Sequence, residues 1–279
     1  MNLILVSIGN FQEYILDNIK QLLILEISNI YVITNSVFFD KFEIYKDKIN
    51  LISIETLNDS YNFFKKTSLD KNFRNGFWTL TSLRFFYIYS LMEKYTLTNC
   101  IHIENDVLLY YNITTLQNNF NDNYMYIPFD TYKRNIASIM YIPNCDIFKN
   151  VLDKYDFTKN DMENFAYIKF NTGLIQNMPI FPVNFVTSKE ELFVSENFNT
   201  FNFIFDAAAI GQFLGGVDPK NMPGDTTGFV NETCVIKYNK YKFIWEIENN
   251  IKKPYLVINN LKFPIFNLHI HSKNLLKFM

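Results

Sequence analysis

Apolar and polar positions come in blocks along the first hundred residues, and the blocks predict strands and helices in turn. Residues 3–7 form a short apolar run closed by Ile8-Gly9-Asn10, and residues 14–27 repeat their apolar positions at near-helical spacing. Residues 30–34 predict a second strand closed by Thr34-Asn35-Ser36, residues 38–45 are helical in pattern, and 51–54 predict a third strand. Strands alternating with helices at this pitch imply a parallel sheet wound in the Rossmann manner. The polar stretch 58–75 predicts a loop. Gly76-Phe77-Trp78-Thr79 then leads into a helix over 80–95, with Leu80, Leu83, Tyr87, Leu91 and Tyr95 on one side.

The next apolar run, residues 99–110, is broken in its middle by Glu104-Asn105-Asp106. Residues two apart on an extended chain project to the same face, so this pattern aims both carboxylates at one point where a strand meets a loop. Two hard oxygen donors at one point suit a divalent cation. With 28 acids in 279 residues, acidic pairs at this spacing arise about three times by chance. Context carries the weight, because acids set into an apolar run need a compensating cation. A solvated strand end is the plain alternative.

Farther on, 112–115 marks a helix start, 124–129 and 137–142 predict antiparallel strands, and 146–155 and 161–170 predict helices. A polar turn, Asn171-Thr172-Gly173, follows; its Asn either meets a substrate hydroxyl or satisfies its own backbone. Asp206 opens an Ala-rich run, a position that caps a helix. Gln212 comes six residues later, before a loop, 215–219, suited to a lid or acceptor contact. Residues 234–238 with 242–247, and 255–258 with 261–265, predict two hairpins. The chain holds three His, two of them in His269-Ile270-His271, with Lys273 just beyond. Such a pair can supply a metal ligand, and the lysine a charge for a phosphate.

Composition narrows the field. A hydrophobic content of 48% with 19% charged residues is that of a globular chain, and 279 residues fit one α/β domain. The net charge of −2 excludes a global pull towards nucleic acid or anionic membrane, so phosphate chemistry must rest on a local site. Aromatic residues reach 18%, but Ile, Asn and Lys are as abundant, the bias of an AT-rich coding sequence, so the aromatics alone carry little functional weight. Cys100, Cys145 and Cys234 are dispersed, which argues against a disulfide framework and a structural zinc site. The opening residues lack a signal-peptide pattern and no stretch approaches a membrane span, so a cytoplasmic protein without a transmembrane segment is expected. No G-x-G-x-x-G follows the first strand, which sets dinucleotide redox chemistry aside. Ser7, Gly9, Asn10 and Thr34 still lie at strand carboxyl ends, where such sheets bind ligands, although ordinary turn chemistry accounts for each as well.

In this order the motifs resemble the GT-A-fold glycosyltransferases, most nearly family 8 and related bacterial and viral sugar transferases. In that pattern a helix carrying an Arg precedes an apolar strand ending in Asp-x-Asp, here Arg84 and Glu104-Asn105-Asp106. An Asn-Ser-Gly turn is matched by Asn171-Thr172-Gly173, an Asp-led helix by Asp206, and a late His followed by Lys by His271 or His269 and Lys273. Glu104 departs from the usual Asp.

The resemblance implies an α/β GT-A fold: a mixed, mostly parallel central sheet flanked by helices, with a small antiparallel addition near the C-terminus. It implies a single domain, 1–279, with a nucleotide-binding half, 1–111, and an acceptor-binding half, 112–279. The implied activity is metal-dependent transfer of a sugar from a nucleotide sugar, expected to be a UDP-sugar, to a glycan or other hydroxyl acceptor with retention of configuration. Manganese, with magnesium as the alternative, would be held by Asp106, Glu104 and a late His, with His271 expected to matter more than His269; a nitrogen among oxygens favours manganese. Ser7, Gly9, Asn10, Thr34, Arg84, Glu104, Asn105, Asn171 and Lys273 are expected at the donor. Asp206 and Gln212 would orient donor and acceptor, Asp206 becoming the base if the reaction inverts. The rivals are a sugar-nucleotide-binding pseudoenzyme of the same fold and a metal-dependent phosphoesterase.

Overall fold

In the computed structural model, which describes residues 1–279, the first elements follow the predicted alternation: β1 (Asn2–Ser7), α1 (Tyr14–Ile24), β2 (Ile30–Thr34) and β3 (Asn50–Ser53). The helix between β2 and β3 is of the tighter 3-10 kind, Ser36–Tyr45. A short helix, α2 (Phe63–Lys66), lies within the expected loop, and α3 runs over Phe77–Tyr95. The run 99–110 is two strands, β4 (Cys100–Ile103) and β5 (Val107–Leu109), because the acidic triplet turns the chain between them. Next come β6 (Met125–Thr131), β7 (Arg134–Asn135), β8 (Ile139–Ile142), α4 (Cys145–Leu152), α5 (Asp161–Thr172), β9 (Ile175–Met178), α6 (Lys189–Val194), α7 (Phe198–Phe201), β10 (Ile204–Phe205) and α8 (Ala209–Gly215). The chain finishes with β11 (Lys242–Glu248), β12 (Ile251–Ile258) and β13 (Leu261–His269).

The central sheet has the order β3-β2-β1-β4-β8-β6-β7, with β9 also on β6. Strands β3, β2, β1 and β4 are mutually parallel; β8 runs against both β4 and β6, and β9 is parallel to β6. The sheet therefore draws strands from both sides of residue 111 and is mostly parallel. Period-two alternation decides which residue faces which layer. Leu3 and Leu5 of β1 join Ile15, Ile19 and Leu22 of α1 on one face, while Ile4 and Val6 join Phe85, Ile88 and Leu91 of α3 on the other. Helix α3 is covered on more sides than the predicted stripe allows, burying Ser82, Arg84 and Phe85 as well as Leu83 and Leu91, whereas Tyr95 is exposed.

A second sheet, β10-β13-β12-β11, also takes β5 on β13. It is antiparallel except for the β10–β13 pair. Residues 234–238 are not a strand. The first hairpin of this sheet instead turns at Asn249 and Asn250, at φ 50° and 62°, the left-handed pair that a two-residue hairpin turn requires. No helix is long and apolar enough to cross a membrane.

Candidate functional site

The long β13 joins the two ends of the chain. Its antiparallel register sets Asn267 opposite Leu109 and His269 opposite Val107, and the Ile270 amide donates to the Asp106 carbonyl at 2.8 Å. His269 is thereby placed beside the turn that carries Glu104 and Asp106. That turn is held from beneath by Asn18, a fully buried polar residue on the apolar face of α1. Its Nδ2 donates to the carbonyls of Asn105 and Val107, each at 3.0 Å, and of Glu104 at 3.3 Å. Asn105 turns inward, its Nδ2 donating to the Val6 carbonyl at 3.0 Å and to Gln12 Oε1 at 2.8 Å. The turn is fastened to the carboxyl end of β1, the edge at which open α/β sheets bind ligands.

Glu104, Asp106 and His269 present ligand atoms that all lie within 4.8 Å of one another. His269 Nε2 is 3.1 Å from Glu104 Oε2 and 3.3 Å from Asp106 Oδ2. Around them stand two cations: Arg84 binds Glu104 Oε1, and Lys273 binds Asp106 Oδ2. Burial pushes the Asp106 carboxyl up, but Lys273 and then His269 outweigh it and hold the group well below the carboxylate range. Burial pushes the His269 imidazole down, and Asp106 and Glu104 more than reverse that. The imidazole of His269 thus lies between two carboxylates that favour its charged form. Two carboxylate oxygens and one imidazole nitrogen, so gathered, are a donor set that fits a divalent metal such as manganese.

His271 lies behind this group. Its ring centroid is 4.3 Å from that of His269, and its Nδ1 is 3.3 Å from Gln212 Nε2. Gln212 Oε1 in turn accepts from Asn231 Nδ2 at 2.9 Å. His271 Nε2 is buried without a partner, and burial followed by His269 holds this imidazole well below its ordinary value. It is a neutral neighbour of the donor set. Strand pairing continues to His269 and stops there, so it is His269, not the expected His271, that lies against the carboxylates.

No family profile matches the chain, and no curated protein matches it in sequence. Solved structures with a similar backbone include mouse xyloside xylosyltransferase 1, at TM-score 0.45 and 10% identity over 64% of this chain and 84% of that one. They also include the glycosyltransferase GlyE of Streptococcus pneumoniae, at TM-score 0.42 and 12% identity over 63% of this chain and 45% of that one. A cytidylyltransferase from Leptospira borgpetersenii matches at TM-score 0.38 and 11% identity over 81% of this chain and 90% of that one. The chemistry of the site therefore rests on its own residues.

Several expected contacts have other tasks. Arg84 is buried and engaged: besides Glu104 it reaches Asp161 at 3.2 Å, so it positions a carboxylate rather than waiting for a diphosphate. Thr34 is fully buried, its hydroxyl donating to the Ser7 carbonyl at 2.7 Å; it ties β2 to β1. Ser7 is buried with its hydroxyl unpartnered at the end of β1, while Gly9 and Asn10 are exposed in the following turn. Asn171 is removed from the site: α5 runs on through Thr172, and the exposed Asn171 side chain bonds the Tyr167 carbonyl at 2.7 Å.

Asp206 is fully buried with both oxygens taken. Oδ1 accepts from Ile210 N at 2.9 Å, and Oδ2 from Gly211 N at 2.8 Å and His269 N at 2.9 Å. It caps the first turn of α8 and fixes the backbone of His269, with no exposed surface in this arrangement. Burial raises its carboxyl to about 6. Gly211, which the sequence pattern did not single out, allows the close approach of α8 to β13, since a Cβ there would lie 2.0 Å from the His269 carbonyl oxygen. Gly211→Ala is expected to lower stability by about 1–3 kcal/mol and to weaken manganese binding by displacing His269. Thermal melts and titration calorimetry check both effects, and a variant with wild-type values in each would remove Gly211 from this role.

Proposed function

We propose that the protein is a metal-dependent glycosyltransferase that moves a sugar from a nucleotide sugar, a UDP-sugar first among them, to a hydroxyl acceptor. The observation that carries this reading is the convergence of Glu104, Asp106 and His269, with Lys273 beside them, at the carboxyl edge of the parallel sheet. Glu104 Oε2, Asp106 and His269 Nε2 would hold manganese. When bound, the metal supplies Lewis-acid stabilisation of the charge that develops on the leaving nucleoside diphosphate. Lys273, whose side chain keeps 30% of its surface exposed, can turn from Asp106 to the diphosphate and add a positive charge there. Arg84 keeps Glu104 oriented, and Gln212, with Asn231 behind it, faces the acceptor side next to His271.

Retention of configuration is part of the proposal. An inverting displacement needs a base at the acceptor hydroxyl, and the carboxylate considered for that task, Asp206, is fully buried with both oxygens engaged by backbone amides.

The test is a panel of nucleotide sugars incubated with the protein and manganese, scored for nucleoside diphosphate release and for its suppression by EDTA. Metal-dependent release from one donor supports the reading. Binding without release, across a broad set of acceptors, would identify a pseudoenzyme, and release of pyrophosphate from a nucleoside triphosphate and a sugar phosphate would mark a nucleotidyltransferase. Within the site, His269→Ala is expected to weaken manganese binding about a hundredfold and His271→Ala about tenfold, the latter as the loss of an outer neighbour. Calorimetry with manganese alone checks the order; the reverse order would move the ligand to His271.

A further inference from the structure

Four large apolar side chains stand in solvent on neighbouring segments: Phe64, 52% exposed, Phe73, 44%, Phe77, 42%, and Met222, 45%. Scattered exposed apolar residues are normal, and contiguous ones rimmed by charge are not. These four lie on two segments, 63–77 and 218–222, which touch where Arg74 Nη2 donates to the Lys220 carbonyl at 3.0 Å. Lys71 Nζ donates to the Phe64 carbonyl at 2.9 Å and sits 4.5 Å from the centre of its ring. The Lys71 carbonyl lies 3.4 Å from where a Cβ of Gly76 would stand, next to Phe77. The Arg74 guanidinium is 5.5 Å from the Phe73 ring. The first segment borders the carboxyl end of β1, since Leu80 in the first turn of α3 lies 2.8 Å from where a Cβ of Gly9 would stand and 3.9 Å from where one of Gly76 would.

The charge of the patch departs from that of the whole chain. Segment 63–77 carries Lys65, Lys66, Lys71 and Arg74 against the single acid Asp70, on a protein whose net charge is −2. Lys220 at the junction is balanced by Asp218 of its own segment, so the excess positive charge lies on 63–77. A protein partner fits poorly, because protein interfaces are depleted in Lys. Aromatic rings interleaved with long cationic side chains suit the headgroup layer of a bilayer. There the rings enter the interface, the cations meet anionic phosphates, and the aliphatic stems snorkel between the two.

We infer that this rim is a membrane-contact face that docks the protein on bilayers containing anionic phospholipid and holds the mouth of the site against the lipid surface. Contact is peripheral, through α2, the turn after it and the first residue of α3, and is independent of whether sugar is transferred. Its failure and the failure of the proposed reaction are therefore read separately.

The experiment is cosedimentation of the full chain with vesicles of phosphatidylcholine alone or with phosphatidylserine added, at low and at raised salt. Binding to the anionic vesicles is expected to be at least tenfold tighter than to the neutral ones and to weaken with salt. Lys65→Ala with Lys66→Ala is expected to lower it about 25-fold, at about fivefold per cation, and Phe64→Ser with Phe73→Ser should lower it comparably. Brominated lipid in the unmodified protein keeps the inference testable should a variant misfold. Trp78, whose ring centroid is 5.0 Å from that of Phe77, is expected to be quenched, and Trp245, packed with Tyr110 and Phe278, is not. Equal affinity for the two vesicle types, no binding at low salt, variants that bind as wild type, an unquenched Trp78, or salt-sensitive binding to an RNA oligomer with none to vesicles would each overturn it.

Discussion

Asp106→Asn is expected to reduce manganese-supported turnover of the nucleotide sugar by about a thousandfold or more, with a urea midpoint close to that of the wild type. Asp106 is the one carboxylate that both Lys273 and His269 approach, and its group is held ionised against a strong burial penalty. An amide of the same shape still accepts from Lys273 but cannot neutralise a divalent cation. The lysine left without its counter-ion is partly exposed and can turn to water, so the fold loses little. Glu104→Gln is expected to cost less, since one Glu104 oxygen already belongs to Arg84 and only Oε2 faces the donor set. Initial rates of nucleoside diphosphate release at saturating manganese measure both effects. An Asp106→Asn enzyme within tenfold of wild type would place the metal elsewhere.

How much of this was legible in the sequence depended on the range of the interaction. The β1–α1–β2–β3 opening, α3 and the β6 and β8 strands follow from local periodicity and were predicted within a few residues. The gathering of acids, a late His and Lys273 was expected from the resemblance to GT-A-fold glycosyltransferases rather than from any local pattern. Their partners were not, because pairing is nonlocal. Which His meets the acids is decided by the β13–β5 register, across 160 or so residues of chain, and neither strand carries that register in its own pattern. Arg84 was expected at the donor, and its pairing with Asp161 was hidden because that carboxylate arrives 77 residues later at the start of another helix. Asp206 was expected both as a cap and at the reaction; its bonds to Ile210 N and Gly211 N fit the first, and nothing local shows that His269 N also donates to it. Asn18 did leave a signal, a polar residue inside the apolar stripe of α1, and that is where the turn holding Glu104 and Asp106 is clasped.

Arg84→Met is expected to lower stability by about 3–5 kcal/mol at neutral pH, the largest loss from any single substitution around the site. The guanidinium is buried, binds Glu104 through Nη1 and reaches Asp161 through Nη2 at 3.2 Å, with the Phe85 ring 4.7 Å away. Methionine fills much of that volume but leaves the fully enclosed Asp161 without its cation. Burial already pushes the Asp161 carboxyl above its ordinary range, and Arg84 is the first group that pulls it back; without Arg84 it rises further. A carboxyl whose folded pKa lies above its unfolded one holds its proton in the folded state where the unfolded chain has released it. Its stabilising share is therefore complete in acid, below the unfolded value, and is lost as pH rises through the folded value. The deficit of Arg84→Met should accordingly be full at neutral pH and shrink as the pH is lowered towards the ordinary carboxylate range. Urea denaturation of variant and wild type over a pH series measures it. Asp161→Asn added to Arg84→Met should recover part of the loss at neutral pH and flatten its pH dependence. A deficit that stays constant with pH, or that Asp161→Asn leaves untouched, would show that Arg84 acts through packing alone and that Glu104 takes its orientation from elsewhere.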